Sequence, residues 1–563
     1  MLVQVGPAGV DTTSVRQLRR HVVYFNKASI VFSFGFLLNL AVMPLKAYLT
    51  EPFPWAGLAT PAIAVAVGAN ESFASYEAHA LGFYRSRYNS SVFPPAALYA
   101  HDAEQDADIL RLAVSPVTVD SFSFARLPGS PFYSRRARTS VRAFLTGQTN
   151  ASSVALVELG MLVGQPSSVS GVWADVASDG MTYLYFAAQL DRGSRTWLYA
   201  KFAYRCGLTL VILHGMWAKY YRHYVQLRSN LEALGVGDDE KSSALEIVVG
   251  DPTALILQHT LVCVLFVIDF WCSMEIAGQS FVRLSQIQDL VTFAFAALYL
   301  SRTVWFAYLL LNVTGRLLRR LRLVQHIAQA DPTSVAVAVL FSVGPVTYLQ
   351  SLSGFFVDVY HFLFVLPLPS SKAENYKEDC FAASFYSLVI GFIPITYAFG
   401  QPVLVHLCRA RTVQAVVRTV RRNTIVPVFT RHTFKTAHVY HHFGTVAYND
   451  WKHRALFNLV LILNPARQGK TFVGGSIYAL FQTHPHLQRN AAFSYRGSDC
   501  YVLAHQQDTI VSYRLSLCQC LHMSDPRIKL RAAADEAFGS IRLDDTDGTV
   551  LVRLGRGKCQ WLL

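Results

Sequence analysis

The sequence predicts a polytopic α-helical membrane protein: six spans, N and C termini in the cytosol, an α+β extracytoplasmic domain and an α+β cytosolic C-terminal domain. Three observations carry this reading. Of 563 residues, 52% are hydrophobic and 15% are charged, against ~25% charged in ordinary soluble domains. Six stretches approach the ~20 apolar residues that a helix needs to cross ~30 Å of hydrocarbon. Arginine clusters fall in alternate connecting segments, as the bias of basic residues toward the cytosol requires. The same composition excludes disorder, collagen and coiled coil.

Residues 1–27 form the cytosolic N-terminus, with Arg16, Arg19, Arg20 and Lys27 ahead of the first span at 28–49. That stretch exceeds the ~7–15-residue core of a cleaved signal peptide, so it reads as a signal anchor. The second span, 198–217, carries Lys201 and Arg205 on one helical face near its start, where long basic side chains can snorkel to the interface. It is kept because only with it do the later arginine clusters share a side with the N-terminus. Trp197, Tyr199, Trp217, Tyr220 and Tyr221 at its ends suit interfacial belts. A cytosolic loop at 218–252 precedes spans three and four, at 253–275 and 289–313.

Asp269 and Arg302 lie inside those two spans. Charge in hydrocarbon is costly and points to function by default. At ~1.5 Å per residue their depths differ by roughly 10 Å, which a long arginine side chain partly bridges. A structural ion pair is preferred over a gating or transport role. The basic loop 314–333 follows, with Arg316, Arg319, Arg320 and Arg322. Residues 334–366 are too many for one upright span, since they would make a helix ~50 Å long. Gly344-Pro345 offers a kink and residues 351–354 a break. Two readings follow: a span with a re-entrant helix at 355–365 bearing Asp358 and His361, or one tilted, kinked helix. The sixth span is 381–407.

The extracytoplasmic region 50–197 holds three glycosylation sequons, at Asn70, Asn89 and Asn150, which are modified only on the lumenal side. A fourth, Asn312-Val313-Thr314, sits at a cytosolic boundary and should stay unmodified. Residues 101–113 read as a helix with an acidic start, followed by strands near 154–163, 171–176 and 182–190. Asp102, Glu104, Asp106 and Asp108 would occupy two faces of that helix, which argues against a calcium site. No cysteine occurs in this region, so the domain stands without disulfides.

The C-terminal domain 408–563 carries 21 Lys and Arg against 9 Asp and Glu, and so holds most of the chain's net charge of +14. Val413, Val416, Val417 and Val420 recur with helical spacing beside Arg411, Arg418, Arg421 and Arg422. An amphipathic helix at 409–422 lying on anionic lipid head groups is the expectation. Asp544-Asp545-Thr546-Asp547-Gly548 between apolar runs signals a hairpin. Nucleic acid is a poor partner, because the basic residues adjoin the membrane and no nucleic-acid-binding motif accompanies them.

Catalytic and cofactor motifs are largely absent, and no cofactor is expected. Residues 464–471 end in Gly469-Lys470-Thr471 like a P-loop, but Asn464 stands where the first glycine belongs. His432, His438, His441, His442, His453, Cys500, Cys518 and Cys520 are potential metal donors without a recognised ligand spacing. The expected function is a non-enzymatic sensor or receptor, in the plasma membrane or an endomembrane, coupling an extracytoplasmic ligand or protein to a cytosolic domain. The alternative is an ion channel with Asp358 and His361 near its path. In layout the chain is similar to the mucolipin and polycystin branch of cation channels, a likeness that carries no residue across. A metal-dependent membrane enzyme is the third reading. The sequence leaves room for oligomers.

Overall fold

The computed structural model describes residues 21–349 and 470–563, apart from loops at 58–60, 90–92, 94–96, 115–125, 129–132, 163–164, 177–179, 237–243, 325–328, 506–509, 523–527, 533–540, 547–548 and 555–559. Between those blocks it describes 352, 355, 377–379, 392 and 396. The chain enters through β1 (Val22–Phe25) and α1 (Lys27–Ala41), then a 3-10 turn (Pro44–Leu49). Helix α2 (Phe73–Arg87), strands β2 (Tyr99–Asp102) and β3 (Ala107–Val114), and helix α3 (Arg135–Leu145) follow. Strands β4 (Ala155–Leu162), β5 (Gln165–Val176) and β6 (Thr182–Leu190) complete an antiparallel sheet in the order β2-β3-β6-β5-β4. Successive side chains of a strand point to opposite faces. Here Ile109, Val157, Leu159, Val169 and Tyr185 pack under α2, while Leu110, Leu112, Leu156, Val172 and Phe186 pack under α3.

That double cover explains a correction. Residues 101–113 form the β2–β3 hairpin, not a helix. A strand buried on both faces loses the polar alternation that would announce it. Asp102 Oδ1 accepts the N–H groups of Glu104 and Gln105 at 3.1 and 3.3 Å, and Asp106 takes a φ of 50° to close the turn.

Helix α4 (Arg195–Met216) runs through a π turn into α5 (Arg222–Leu234), and β7 (Ala244–Val248) follows. Then come α6 (Thr253–Leu257), α7 (Thr260–Trp271), α8 (Met274–Leu284), α9 (Leu290–Leu300), α10 (Val304–Arg320), α11 (Pro332–Val343) and α12 (Pro345–Leu349). Strand β8 (Lys377–Asp379) joins the first sheet, parallel to β4.

Six spans are not supported. Among the described residues two helices are long and apolar enough to cross a membrane: Leu290–Arg320, 31 residues, and Pro332–Leu349, 18 residues. Helices α7 and α8 meet at 72° and would add a third crossing only as one bent pair. The first predicted span stops as a 15-residue helix, with Pro44 opening a 3-10 turn that removes an α-helical hydrogen bond. The second forms a helix, but Lys201 and Arg205 point inward, 4% and 0% exposed, so the snorkelling reading is also corrected. The third is broken at Gln258-His259 and bent at Cys272-Ser273. Span six, apart from 392 and 396, and the segment 356–365 lie outside the described residues. The helices present apolar side chains outward, including Phe34, Leu210, Leu261, Leu290, Val291, Leu317 and Phe341. Their inward faces form one core around Phe266, Phe270 and Trp305.

The C-terminal block opens with β9 (Lys470–Gly474) and α13 (Ser476–Thr483). It continues with β10 (Cys500–His505), β11 (Ile510–Leu517), β12 (Ile528–Ala532), β13 (Ile541–Thr546), β14 (Thr549–Leu554) and β15 (Trp561–Leu562). The β13–β14 pair is an antiparallel hairpin, Thr546 opposite Thr549. Its larger sheet runs β1-β7-β10-β11-β15 with β9 on β11, so strands from 22–25 and 244–248 complete it. This unit is therefore not confined to 408–563.

Candidate functional site

The most concentrated chemistry lies inside the helical core. Glu51, just past the Pro44–Leu49 turn, accepts two hydrogen bonds from the Arg205 guanidinium, both 2.8 Å. Tyr299 donates to the same carboxylate at 2.8 Å, and Lys201 Nζ and Arg302 Nη1 stand 3.4 and 3.6 Å away. Arg205 Nε donates to Asp269 at 2.8 Å, and Arg302 binds the other oxygen of Asp269. Lys201 also reaches Glu275 at 3.4 Å, and Ser273 Oγ accepts from Arg205 at 3.1 Å. Three carboxylates thus face three cations, and the cluster is formally neutral. Arg205 lies over the Tyr48 ring and Arg302 over Tyr299, at 4.8 and 4.9 Å.

The sequence puts these groups together by simple spacing. Lys201 and Arg205 are one turn apart on α4, while Asp269, Ser273 and Glu275 straddle the α7–α8 bend. Arg302 sits in the 3-10 turn between α9 and α10, and Tyr299 just before it. Each charge loses water, so the network is tolerable only because nearly every group is paired. Arg302 Nε has no hydrogen-bond partner among the described residues, which makes it the least satisfied member.

Two joints tie the ends of the helices to the sheets. At one, Arg283 of α8 donates to the buried Asp108 of β3 at 3.2 Å. Tyr99 and His101 of β2 bind the same carboxylate at 2.6 and 3.0 Å. Burial pushes the Asp108 carboxyl up, but the His101 hydrogen bond and the Arg283 charge outweigh it and hold it below the ordinary range. At the other joint, Asn490 donates to Asn312 of α10 at 2.9 Å, and Arg319 donates to the Arg489 carbonyl at 2.6 Å. Gly250, between β7 and α6, lies so close to the 497–499 backbone that a Cβ would stand 2.3 Å from the Asp499 carbonyl oxygen.

Of the intramembrane residues expected from sequence, Asp269 and Arg302 come together directly, so the ~10 Å depth difference estimated from helical rise does not separate them. Asp358 and His361, and Arg411, Arg418, Arg421 and Arg422, lie outside the described residues. So do His432, His438, His441, His442 and His453. Asn70 and Asn150 are exposed and Asn89 half-buried. Asn312 is buried and bonded to the Leu257 carbonyl at 2.9 Å.

Cys500, Cys518 and Cys520 are buried apart from any donor set, and no group of three or more metal-binding side chains occurs among the described residues. Lys470 and Thr471 open a strand where a P-loop would open a helix, a departure from that motif's geometry. Asp102 and Glu104 pair with Arg87, and Asp106 with Arg192, leaving no calcium cluster.

Glu51 was missed because it follows an apolar stretch and reads as the first residue of a loop. The signal available was the Lys201–Arg205 pair, two cations on one inward face in need of carboxylates. Set against known families, curated proteins and solved structures, the chain matches none of them.

Proposed function

We propose that the protein is a membrane-embedded sensor in which an extracytoplasmic unit, built on the β2–β6 sheet, is coupled to a cytosolic unit, built on the β1-β7-β10-β11 sheet. One observation carries the reading: a single continuous stretch of chain touches both sheets and the ion network. It leaves the second sheet at β7, passes the tight Gly250 joint, brings Asp269 and Glu275 into the network, and ends at Arg283 on Asp108 of the first sheet. A displacement at Asp108 is thus transmitted through packed and ion-paired groups to β7.

The strands β1, β7, β9, β10, β11 and β15 share one sheet and so lie on one side of any bilayer the helices cross. Exposed Asn70 and Asn150 favour the opposite side, in the plasma membrane or an endomembrane, for the other sheet. The basic stretch 409–422 then holds anionic lipid at the cytosolic surface.

Hydrogen exchange of the full-length protein in lipid nanodiscs tests the coupling, comparing wild type with Arg283→Gln. Faster exchange is expected in α8 and also in β7 and β10. Faster exchange confined to α8 and β3 would sink the proposal.

A further inference from the structure

Helix α3 breaks three rules of helix electrostatics at once. Arg135 and Arg136 occupy its first turn, where the macrodipole disfavours cations. Arg135, Arg138 and Arg142 follow one another at three- and four-residue spacing, and like charges so placed repel by a few tenths of a kcal/mol per pair. The sequence Arg135–Leu145 contains no acidic residue at all. Its apolar side is committed to the sheet through Ala137, Val141 and Leu145.

Nearby carboxylates do little to offset this. Glu77 is taken by Arg136 at 2.9 Å and by the Val157 N–H at 3.0 Å. Glu158 is buried beneath the helix start and bound by both the N–H and the hydroxyl of Ser134, and burial pushes its carboxyl toward the neutral form. Three further acids of the sheet serve other arginines, Asp102 and Glu104 binding Arg87 and Asp106 binding Arg192. Arg135 and Arg138 have no ion-pair partner among the described residues, and Arg138 Nε is buried without a hydrogen bond. Charges kept at a cost to local stability mark a binding role.

We propose that the Arg135–Arg138–Arg142 flank of α3 binds a linear acidic polysaccharide bearing sulfate or carboxylate groups. Seven residues of helix place the outer two arginines ~10 Å apart along the axis. Guanidinium forks match sulfate and carboxylate oxygens in pairs. A bilayer is a poorer occupant, because membrane-surface helices pair their cations with exposed apolar side chains. Helix α3 exposes no large hydrophobic residue. Choosing a polysaccharide rests on the β2–β6 sheet facing away from the cytosol, whereas the binding measured in solution does not.

The test is surface-plasmon binding of the full-length protein in uncharged nanodiscs to an immobilised sulfated polysaccharide at physiological salt. Arg135→Ser/Arg138→Ser/Arg142→Ser should weaken binding at least tenfold and flatten its salt dependence. A control removing as much charge elsewhere, Arg228→Ser/Arg320→Ser/Arg322→Ser, should change it less than twofold. Because the stripe is self-repelling, the triple-serine protein should melt no lower than wild type. Should it fail to fold, Arg135→Lys/Arg138→Lys/Arg142→Lys keeps the charge, loses the fork and should still bind several-fold more weakly.

Equal losses in test and control, or none, overturn the proposal. So does displacement by polyglutamate at the same charge concentration as by polysaccharide, which would assign the flank to an acidic protein. Stripe-dependent capture by vesicles with anionic lipid, absent on polysaccharide, would assign it to a membrane. If polysaccharide binds but glycosylation mapping puts 50–197 in the cytosol, the binding stands and the sensor orientation falls.

Discussion

Neutralising Glu51 should be the most damaging single change in the helical core. Glu51→Gln keeps the shape but removes the carboxylate that faces Arg205, Lys201 and Arg302 together and accepts the Tyr299 hydroxyl. It leaves three cations against two carboxylates in a place closed to water. Removing one member of such a buried network costs about 3–5 kcal/mol. Asp269 faces Arg205 and Arg302, so Asp269→Asn should rank next. Glu275 meets Lys201 alone at 3.4 Å, and Glu275→Gln should cost only about 1–3 kcal/mol. The ranking follows the number of cations each carboxylate faces, and a second change tests the charge imbalance separately. Arg302 is the cation least well bonded, so Glu51→Gln/Arg302→Met restores neutrality at little further loss. The double variant should recover at least ~1 kcal/mol relative to Glu51→Gln, a coupling of the size expected for groups in one network. Thermal unfolding of the full-length protein in nanodiscs, followed by tryptophan fluorescence, gives the ranking. If Glu275→Gln matches Glu51→Gln, or the double variant merely adds the two losses, the network reasoning fails.

Three other outcomes are expected. Asp108 titrates lower in the folded protein than in the unfolded chain, so its contribution is complete above the ordinary carboxylate range and lost as pH falls through the folded value. A pH series of melting temperatures should show an acid-side decline that Asp108→Asn removes. Gly250→Ala should destabilise by about 1–3 kcal/mol, because the clashing Asp499 carbonyl is backbone and cannot rotate away; an unchanged melting temperature would contradict the close approach. In eukaryotic cells, deglycosidase should shift the protein's gel mobility until Asn70, Asn89 and Asn150 are all replaced, with Asn312 contributing nothing.

Local signals carried some of this architecture. The helices expected at 198–217 and 289–313 follow from apolar length, and the strands between 154 and 190 and the 541–554 hairpin from apolar runs and turn residues, although the helix from Leu290 runs on to Arg320 into what reads as a loop. The Asp269–Arg302 partnership was legible because two opposite charges in apolar runs need each other. What failed was anything decided at a distance. Length and apolarity counted spans, but Pro44, the Gln258-His259 break and the Cys272-Ser273 bend cut two of them. Glu51 has no local mark distinguishing it from a loop acid, and its role comes from α4 and α9 packing over it. Nothing in Val22–Phe25 says that its neighbour is Ala244–Val248, since a short apolar run carries no address.

That last pairing sets a timetable. β1 meets its partner β7 about 220 residues later, and β7 meets β10 only about 250 residues after that. At ~5–20 residues per second of synthesis, β7 waits about 13 to 50 seconds for β10. Until β10 arrives the second edge of β7 is unpaired, a template for wrong pairing. The sheet therefore closes after the intervening helices have been made, and it acts as a record of completion. A nascent chain released before residue 500 would carry finished helices and an open sheet edge, the form that chaperones and proteases recognise.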